Sequence, residues 1–229
     1  MRQNINQTKM YQKRIFAPDT IYHVYNRGNK KDILFYDDED FHFYLRSLTK
    51  YAVETGFDLL CYCLMDNHYH FCCQQKSETS LSKLALKLNT SYAMYFNKKY
   101  KQVGHIFQGR YKYKIVNSDR YLSYLSMYIH SNPLDKDTMP MDEYPYSSYR
   151  EYTEGHENLC KHQQVLKIFD NSYLEYYIYS LQFKDSRNKH QKPYKQAWNE
   201  PATQEDYPDP KPKPTDLYEI DFWGCQVRA

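Results

Sequence analysis

The chain lacks the long apolar segments that membrane proteins and secreted precursors carry. None of its apolar runs approaches the length that spans a bilayer, so we expect no membrane contact. Residues 1–7 also lack the apolar core of a secretory signal, which favours a cytoplasmic protein. Strong charge is absent as well, because the 229 residues carry a net charge of only +3. That charge is compatible with a nucleic-acid partner but does not require one.

Cysteine pairs with the spacing of a zinc site are missing too. Cys61-x-Cys63 and the adjacent Cys72-Cys73 do not form the Cys-x-x-Cys pairs that such sites use. They lie in apolar, strand-like segments, so we expect reduced side chains in the core of a cytosolic protein. Tyrosine, in contrast, is abundant at 27 residues, and its rings either fill a core or stack on unpaired bases.

Hydrophobic periodicity predicts an α+β fold in which helices pack on an antiparallel sheet. The apolar segments on either side of Asp66-Asn67 are typical of one long or broken strand, which that polar pair interrupts. Ser118 suits the N-cap of a helix that must end near Asn132, since Pro133 follows. The predicted strands are residues 21–27, 57–65, 68–74 and 104–116, and the predicted helices begin near residues 37, 79 and 118.

We divide the chain into four segments. They are an N-terminal extension over residues 1–17, a main domain over 18–152, a helical C-terminal extension over 153–185 and a tail over 186–229. From Asp185 onward the sequence is polar, has little periodicity and holds six of the ten prolines. This composition is typical of an extended or disordered tail.

Two histidines, His68 and His70, stand at positions i and i+2 in the sequence NHYHF. On a strand, alternation turns both rings to one face, where together they can hold a divalent ion. Tyr128 and Asn132 are four residues apart and share one face of the predicted helix. The amide oxygen of Asn132 can complete a set of three metal ligands that leaves positions open for phosphate oxygens. Because two imidazoles soften the site, Mn²⁺ should serve at least as well as Mg²⁺.

A bound metal beside a tyrosine suits the cleavage of phosphodiesters. The Tyr128 phenolate would attack phosphorus and give a 5′-phosphotyrosine and a free 3′ hydroxyl, so rejoining needs no nucleotide cofactor. A free phenol has a pKa near ~10, so either the metal's charge or a nearby lysine must favour loss of its proton. Tyr121 and Tyr124 are rival nucleophiles by proximity, but neither has an amide residue at i+4.

Basic and polar side chains are interleaved with tyrosines in two further segments. We expect them either to grip backbone phosphates and stack bases or to form a solvated strand face. These residues are Arg27, Gln108, Arg110, Lys112 and Lys114. We interpret the histidines His23, His105 and His130 as structural.

Four motifs, in this order along the chain, resemble those of a known family. They are YHVYNRGN from Tyr22, CLMDNHYH from Cys63, GHIFQGRYK from Gly104 and YIHSNP from Tyr128. The chain resembles the IS200-like (Y1) transposases and, within them, the REP-associated tyrosine transposases of the HUH endonuclease superfamily. The resemblance spans residues 18–152, the predicted main domain.

The resemblance implies a ferredoxin-like sheet, with Tyr128 as the nucleophile and His68, His70 and Asn132 as ligands of Mg²⁺ or Mn²⁺. It also implies a substrate of single-stranded DNA with hairpin or palindromic ends, which would place the protein at the nucleoid. One departure is Asp66, where the family usually has proline. Its carboxylate either approaches the metal or lies in the turn. A monomer and a homodimer both stay open.

Two other functions remain open. One is a domesticated protein that binds DNA or RNA hairpins without cleaving them, and a covalent DNA adduct would distinguish the enzyme from this binder. The other is a nucleotide hydrolase of the histidine-triad type. That chemistry normally needs a further alternating histidine, and this chain has Cys72 at the position.

Overall fold

The computed structural model describes residues 17–136, 139–155 and 159–189 of the chain. Residues 1–16 of the predicted N-terminal extension and residues 190–229 of the predicted tail lie outside this part. The predicted start of the tail, residue 186, falls inside the last described helix, which runs over Tyr173–Lys189. Among the described helices, none is both long and apolar enough to cross a membrane.

The first part of the described chain builds a four-stranded antiparallel sheet with two connecting helices. In chain order these elements are β1 Ile21–Arg27, α1 Asp38–Thr55, β2 Phe57–Met65, β3 His68–Gln75, α2 Leu81–Tyr100 and β4 Lys112–Val116. The strands lie side by side in the order β2-β3-β1-β4, and each neighbouring pair is antiparallel. This is the ferredoxin-like arrangement, so the predicted α+β class and sheet type are confirmed.

Strand alternation gives the sheet two different faces. On one face, Tyr22 and Phe71 are buried beneath α1 and α2 in one apolar cluster. On the opposite face, Cys63 and Cys72 belong to a second cluster. The five cysteines of the described part are buried and form no disulfide, in agreement with the expected reduced core residues.

The predicted long strand is a hairpin, because the chain reverses at Asp66-Asn67 and β3 pairs back on β2. The backbone oxygen of Asp66 accepts hydrogen bonds from the backbone N–H of Leu34 at 2.6 Å and of Phe35 at 2.9 Å. These two bonds tie the turn to the segment before α1. The position of the two histidines at the very start of β3 follows from this reversal.

Most of the segment 104–116 is irregular, although its sequence predicts a strand, and only its last residues pair with the sheet as β4. The backbone N–H of Asn29 donates to the oxygen of Ile106 at 2.8 Å, and that of Gln108 donates to the oxygen of Arg27 at 2.9 Å. These bonds hold residues 104–111 beside the end of β1, although the segment does not form a strand of the sheet.

Helix α3, Asp119–His130, covers the second face of the sheet. Ser118 is its N-cap, as predicted, since its side chain accepts from the backbone N–H of Tyr121 at 3.2 Å. Leu125 and Ile129 are buried in the cluster on this face and seat the helix against the strands. The helix ends as expected before Pro133, and a short 3₁₀ segment, Asn132–Lys136, follows.

Three further helices, α4 Tyr149–Thr153, α5 Gln163–Leu166 and α6 Tyr173–Lys189, contribute to the same second cluster. His130 is completely buried among them. Its Nδ1 lies 2.9 Å from Tyr176 Oη and its Nε2 lies 2.8 Å from Ser148 Oγ. These contacts agree with the structural role expected for His130.

Candidate active site

His68 and His70 open strand β3 and point to the face that α3 covers, whereas Tyr69 and Phe71 alternate into the opposite cluster. The two imidazole rings are perpendicular, at an interplanar angle of 87°, with centroids 5.2 Å apart. His70 is buried and His68 is half-buried. The hairpin turn thus leaves one imidazole accessible beside another that is fixed in the sheet.

Asn132 meets His68 from the end of α3. Its side-chain Nδ2 donates to the backbone oxygen of Tyr128 at 2.8 Å and to that of Ile129 at 3.1 Å. Both acceptors are carbonyls in the last turn of α3, so they fix the orientation of the amide. Asn132 Oδ1 is therefore turned toward His68 and lies 3.3 Å from its Nε2.

The proton positions on His68 make this contact informative. Its Nδ1 lies 2.8 Å from Asn67 Oδ1, which can only accept, so Nδ1 carries the hydrogen in the neutral ring. Nε2 then presents a lone pair to Asn132 Oδ1, which is also an acceptor. Two lone pairs aimed at each other across 3.3 Å match a pair of ligands arranged around a cation. The donor set fits a divalent ion on this observation.

Among the described residues, no group of three or more histidines, cysteines, aspartates or glutamates is arranged to hold an ion. The predicted set of His68, His70 and Asn132 differs from such a group because its third member is an amide. Asp66, whose carboxylate the sequence leaves open as a further metal ligand, is exposed in the hairpin turn.

His70 is backed by His23 of β1, whose Nε2 lies 2.9 Å from His70 Nδ1. The two rings are stacked with centroids 5.2 Å apart. Burial, and secondarily the charge of Lys114, lowers the pKa of His23 to about 3. Burial, followed by the neighbouring imidazoles, also holds the pKa of His70 well below its usual value. Both rings are therefore neutral at physiological pH, as an imidazole ligand must be.

Tyr128 lies beside the histidines on the last turns of α3. Its ring is perpendicular to His70, with centroids 5.6 Å apart, and meets His23 at 6.2 Å. The side chain is half-buried and also packs on the second apolar cluster. Of the rival tyrosines, Tyr124 is buried and packs on Phe183 at 5.5 Å. Tyr121 is seven residues before Tyr128, about two turns toward the start of α3, and it also packs on the apolar cluster.

A groove of about 560 Å³ opens next to the histidine pair. Four of the five predicted nucleic-acid-binding residues line it together with His68 and His70, and these four are Arg27, Gln108, Arg110 and Lys112. The four side chains are exposed, and that of Arg27 donates from Nε to the side-chain oxygen of Gln108. The fifth, Lys114, is opposite His23 in the β1–β4 register and does not line the groove. Burial lowers the pKa of Lys114.

Three residues of the site are not predicted from the sequence to act there, since Asn67 and Tyr25 have no assigned role and His23 is interpreted as structural. Asn67 contacts Nδ1 of His68, and His23 contacts Nδ1 of His70. Tyr25 stacks on His70, with centroids 5.6 Å apart and planes 21° apart, and it lines the groove. Alternation along β1 places His23 and Tyr25 on one face, but nothing local in the sequence pairs them with His70.

More than half of the chain matches a known protein family. A family model described as "Transposase IS200 like" matches residues 17–132. No curated protein sequence matches the chain. A solved structure of a REP-associated tyrosine transposase bound to a REP hairpin has a TM-score of 0.54 at 12% identity, covering 65% of this chain and 88% of that chain. A crystal structure of a transposase-like protein from Deinococcus radiodurans R1 has a TM-score of 0.38 at 15% identity, covering 53% and 97%.

The family match and the site agree on the same part of the chain. The matched residues 17–132 begin just before β1 and end at Asn132, so they contain the histidine pair, the wall of the groove and Tyr128. They also amount to more than half of the 229 residues. The chain belongs to the IS200-like transposase family.

Proposed function

We propose that this chain cleaves and rejoins single-stranded DNA, with Tyr128 as its nucleophile. The observation that carries the proposal is the packing of the Tyr128 ring against His70, with centroids 5.6 Å apart. A tyrosine, an imidazole pair and an oriented amide therefore come together within one chain, at the side of a groove with basic walls. This combination of nucleophile and charge-stabilising groups suits phosphoryl transfer.

The divalent ion that we propose, Mg²⁺ or Mn²⁺, would be held by His68 Nε2, His70 Nε2 and Asn132 Oδ1. The facing lone pairs of His68 and Asn132 support this assignment. Two nitrogen ligands and one amide oxygen suit Mn²⁺ at least as well as Mg²⁺. When bound, such an ion would stabilise the negative charge of the phosphate oxygens.

The reaction begins with attack of Tyr128 Oη on phosphorus. The Oη–P bond forms while the bond between phosphorus and O3′ breaks, so one DNA fragment is joined to the tyrosine through its 5′ phosphate. The phenol releases its proton to solvent, and the leaving O3′ takes one up to become a hydroxyl. Attack by another 3′ hydroxyl on the phosphotyrosine rejoins strands and frees the phenol, with no nucleotide cofactor.

The substrate that we propose is single-stranded DNA that carries a hairpin. Arg27, Arg110 and Lys112 at the groove can contact backbone phosphates, and the Tyr25 ring offers a surface for an unpaired base. The structural neighbour with a REP hairpin bound supports the same class of partner for this chain. Such an enzyme would act on chromosomal DNA and would therefore be a cytoplasmic protein associated with the nucleoid.

The test is a covalent-adduct assay with the full chain. Labelled single-stranded oligonucleotides with hairpins of varied sequence are incubated with Mn²⁺, and the products are separated on a denaturing gel. The comparison is between the wild-type protein, Tyr128→Phe and Tyr121→Phe. Tyr121 is a matched control because it is half-buried on the same helix and packs on the same apolar cluster as Tyr128, but the residue four positions later is Leu125 instead of an amide.

We expect a shifted band in the wild type and in Tyr121→Phe, and none in Tyr128→Phe. A band that survives Tyr128→Phe means that another residue is the nucleophile. If hairpins bind but no band forms over the whole panel, the protein is a hairpin-binding module that does not cleave. The same assay with a chelator in place of Mn²⁺ tests metal dependence, and an undiminished band would exclude it.

A further inference from the structure

Each imidazole of the proposed metal site is contacted at its Nδ1 by a residue that is neither a proposed metal ligand nor the proposed nucleophile. Asn67 contacts Nδ1 of His68 at 2.8 Å, and His23 contacts Nδ1 of His70 at 2.9 Å. From these two contacts we infer that Asn67 and His23 are positioning residues, which select the Nδ1-protonated form of each ring and direct both Nε2 atoms to one cation. The inference rests on the proposed function, because it concerns the ligands of that site.

The orientation of Asn67 is fixed by two hydrogen bonds to the loop after β1. Its backbone oxygen accepts from the N–H of Gly28 at 2.8 Å, and its side-chain Nδ2 donates to the backbone oxygen of Lys31 at 3.2 Å. With Nδ2 engaged in this way, Oδ1 is the atom left to face His68. An amide oxygen accepts and never donates, so His68 must place its hydrogen on Nδ1.

The loop after β1 is therefore part of the site through its hydrogen bonds to Asn67. Residues 28–31 supply both backbone groups that hold Asn67. Gly28 makes this loop possible, because a Cβ at that position would lie 2.0 Å from the backbone oxygen of Asp32. A side chain here would displace the backbone of Asp32, which is bonded directly to the Lys31 carbonyl that accepts from the Asn67 amide.

His23 acts on His70 from the neighbouring strand. In the β1–β3 register His23 is opposite Cys72 and Tyr25 is opposite His70, so the His23 ring reaches His70 diagonally across the ladder. Of the two ways to share one hydrogen between Nε2 of His23 and Nδ1 of His70, only one leaves a lone pair on His70 Nε2. In that arrangement His70 donates and His23 accepts.

Substitutions can separate the acceptor role from simple packing. Asn67→Leu and His23→Phe keep the approximate volume but remove the acceptor. Asn67→Asp and His23→Gln keep an oxygen that can accept from Nδ1. The matched control is Asn89→Leu, which removes an amide that accepts from Tyr69 Oη at 3.0 Å, on the other face of β3. Thermal unfolding of each variant verifies that the fold is retained.

The first measurement is made without metal. Long-range ¹H–¹⁵N NMR of histidine-labelled protein reports which nitrogen of His68 and His70 carries the hydrogen. We expect Nδ1–H for both rings in the wild type, in Asn67→Asp and in His23→Gln. In Asn67→Leu we expect the hydrogen of His68 to be found on Nε2 as well. In His23→Phe we expect the same of His70. Wild-type rings protonated on Nε2 would overturn the inference.

The second measurement is the affinity for Mn²⁺ alone, from the electron paramagnetic resonance signal of the free ion. Loss of a residue behind a ligand lowers metal affinity by roughly 10- to 100-fold. We expect losses of this size in Asn67→Leu and His23→Phe, recovery in the two acceptor-retaining variants, and no loss in Asn89→Leu. Unchanged affinity in both Asn67→Leu and His23→Phe would contradict the inference. Wild-type protein with the expected tautomers but no Mn²⁺ binding would instead refute the metal site of the proposed function.

Discussion

Because many of its tyrosines are buried, we expect this protein to unfold at pH ~11. Nine tyrosines of the described part that are less than a tenth exposed have a pKa raised by burial; they are Tyr22, Tyr44, Tyr62, Tyr69, Tyr92, Tyr144, Tyr149, Tyr152 and Tyr176. For Tyr149 the pKa rises to about 12, even though a hydrogen bond with Ser180 partly offsets the effect of burial. The unfolded chain would ionise these phenols near pH ~10.

The direction of the effect follows from proton linkage. Above pH ~10 the unfolded state loses phenolic protons that the folded state keeps, so the free energy of unfolding falls as the pH rises. The loss continues up to the pKa of the folded state, which for Tyr149 is about 12. At pH ~11 a phenol whose pKa in the folded state is about 12 or higher costs about 1.4 kcal/mol, so the five phenols of Tyr62, Tyr69, Tyr92, Tyr144 and Tyr149 together cost about 7 kcal/mol. Because domains of this size are stable by only about 5–15 kcal/mol, the fold should be lost close to this pH.

The assay follows tyrosinate absorbance and far-ultraviolet circular dichroism in one pH titration. We expect part of the phenol signal to appear only when the helical signal disappears, in a single cooperative step. Tyr149→Phe should be less stable than the wild type at neutral pH, because it loses the 2.6 Å contact with Ser180 Oγ, but the deficit should shrink by about 1.4 kcal/mol at pH ~11. Tyr36→Phe, at a position 53% exposed, is the control and should not alter the pH dependence. Full ionisation of the tyrosines in a protein that is still folded would refute the reasoning.

Three further outcomes are expected at the site. Gly28→Ala should lower the free energy of unfolding by about 2 kcal/mol in urea titrations and weaken Mn²⁺ binding, because the new Cβ would be 2.0 Å from the Asp32 oxygen. Arg110→Gln should weaken hairpin binding and reduce the slope of log affinity against log salt by about 1, whereas Lys50→Gln, on α1 away from the groove, should change neither. Asn132→Asp should retain Mn²⁺ binding because an oxygen ligand remains, and Asn132→Leu should lose it by about tenfold or more in the same titration.

The parts of the site that depend on one element are predictable from the sequence. Alternation on a strand is enough to place His68 and His70 on one face, and helical spacing is enough to place Asn132 one turn beyond Tyr128. The N-cap at Ser118 and the stop before Pro133 also follow from local chemistry, and the structure has both. These features need no information about which strands are neighbours.

The contacts between elements were not predictable in the same way. The pairing of His23 with His70 depends on β1 lying beside β3 in one particular register, and that register is set by the packing of the whole sheet. The composition of residues 104–111 predicts a strand. In the structure, backbone hydrogen bonds to Arg27 and Asn29 hold this segment beside the end of β1, and it is not one of the strands of the sheet. The wall of the groove is thus a product of tertiary contacts.

The Asp66 side chain differs from the proline usual in the family, and the hairpin explains why the site tolerates the difference. The turn is held by the backbone oxygen of Asp66, which accepts from Leu34 and Phe35, and proline has the same oxygen. Neither Asp66 nor Asn67 has a positive φ, and the preceding Met65 is in a strand, so proline fits the first turn position. We therefore expect Asp66→Pro to change the free energy of unfolding by less than about 1 kcal/mol. Mn²⁺ affinity should also be unchanged, and a marked loss in Asp66→Pro with an intact fold would identify the carboxylate as a ligand.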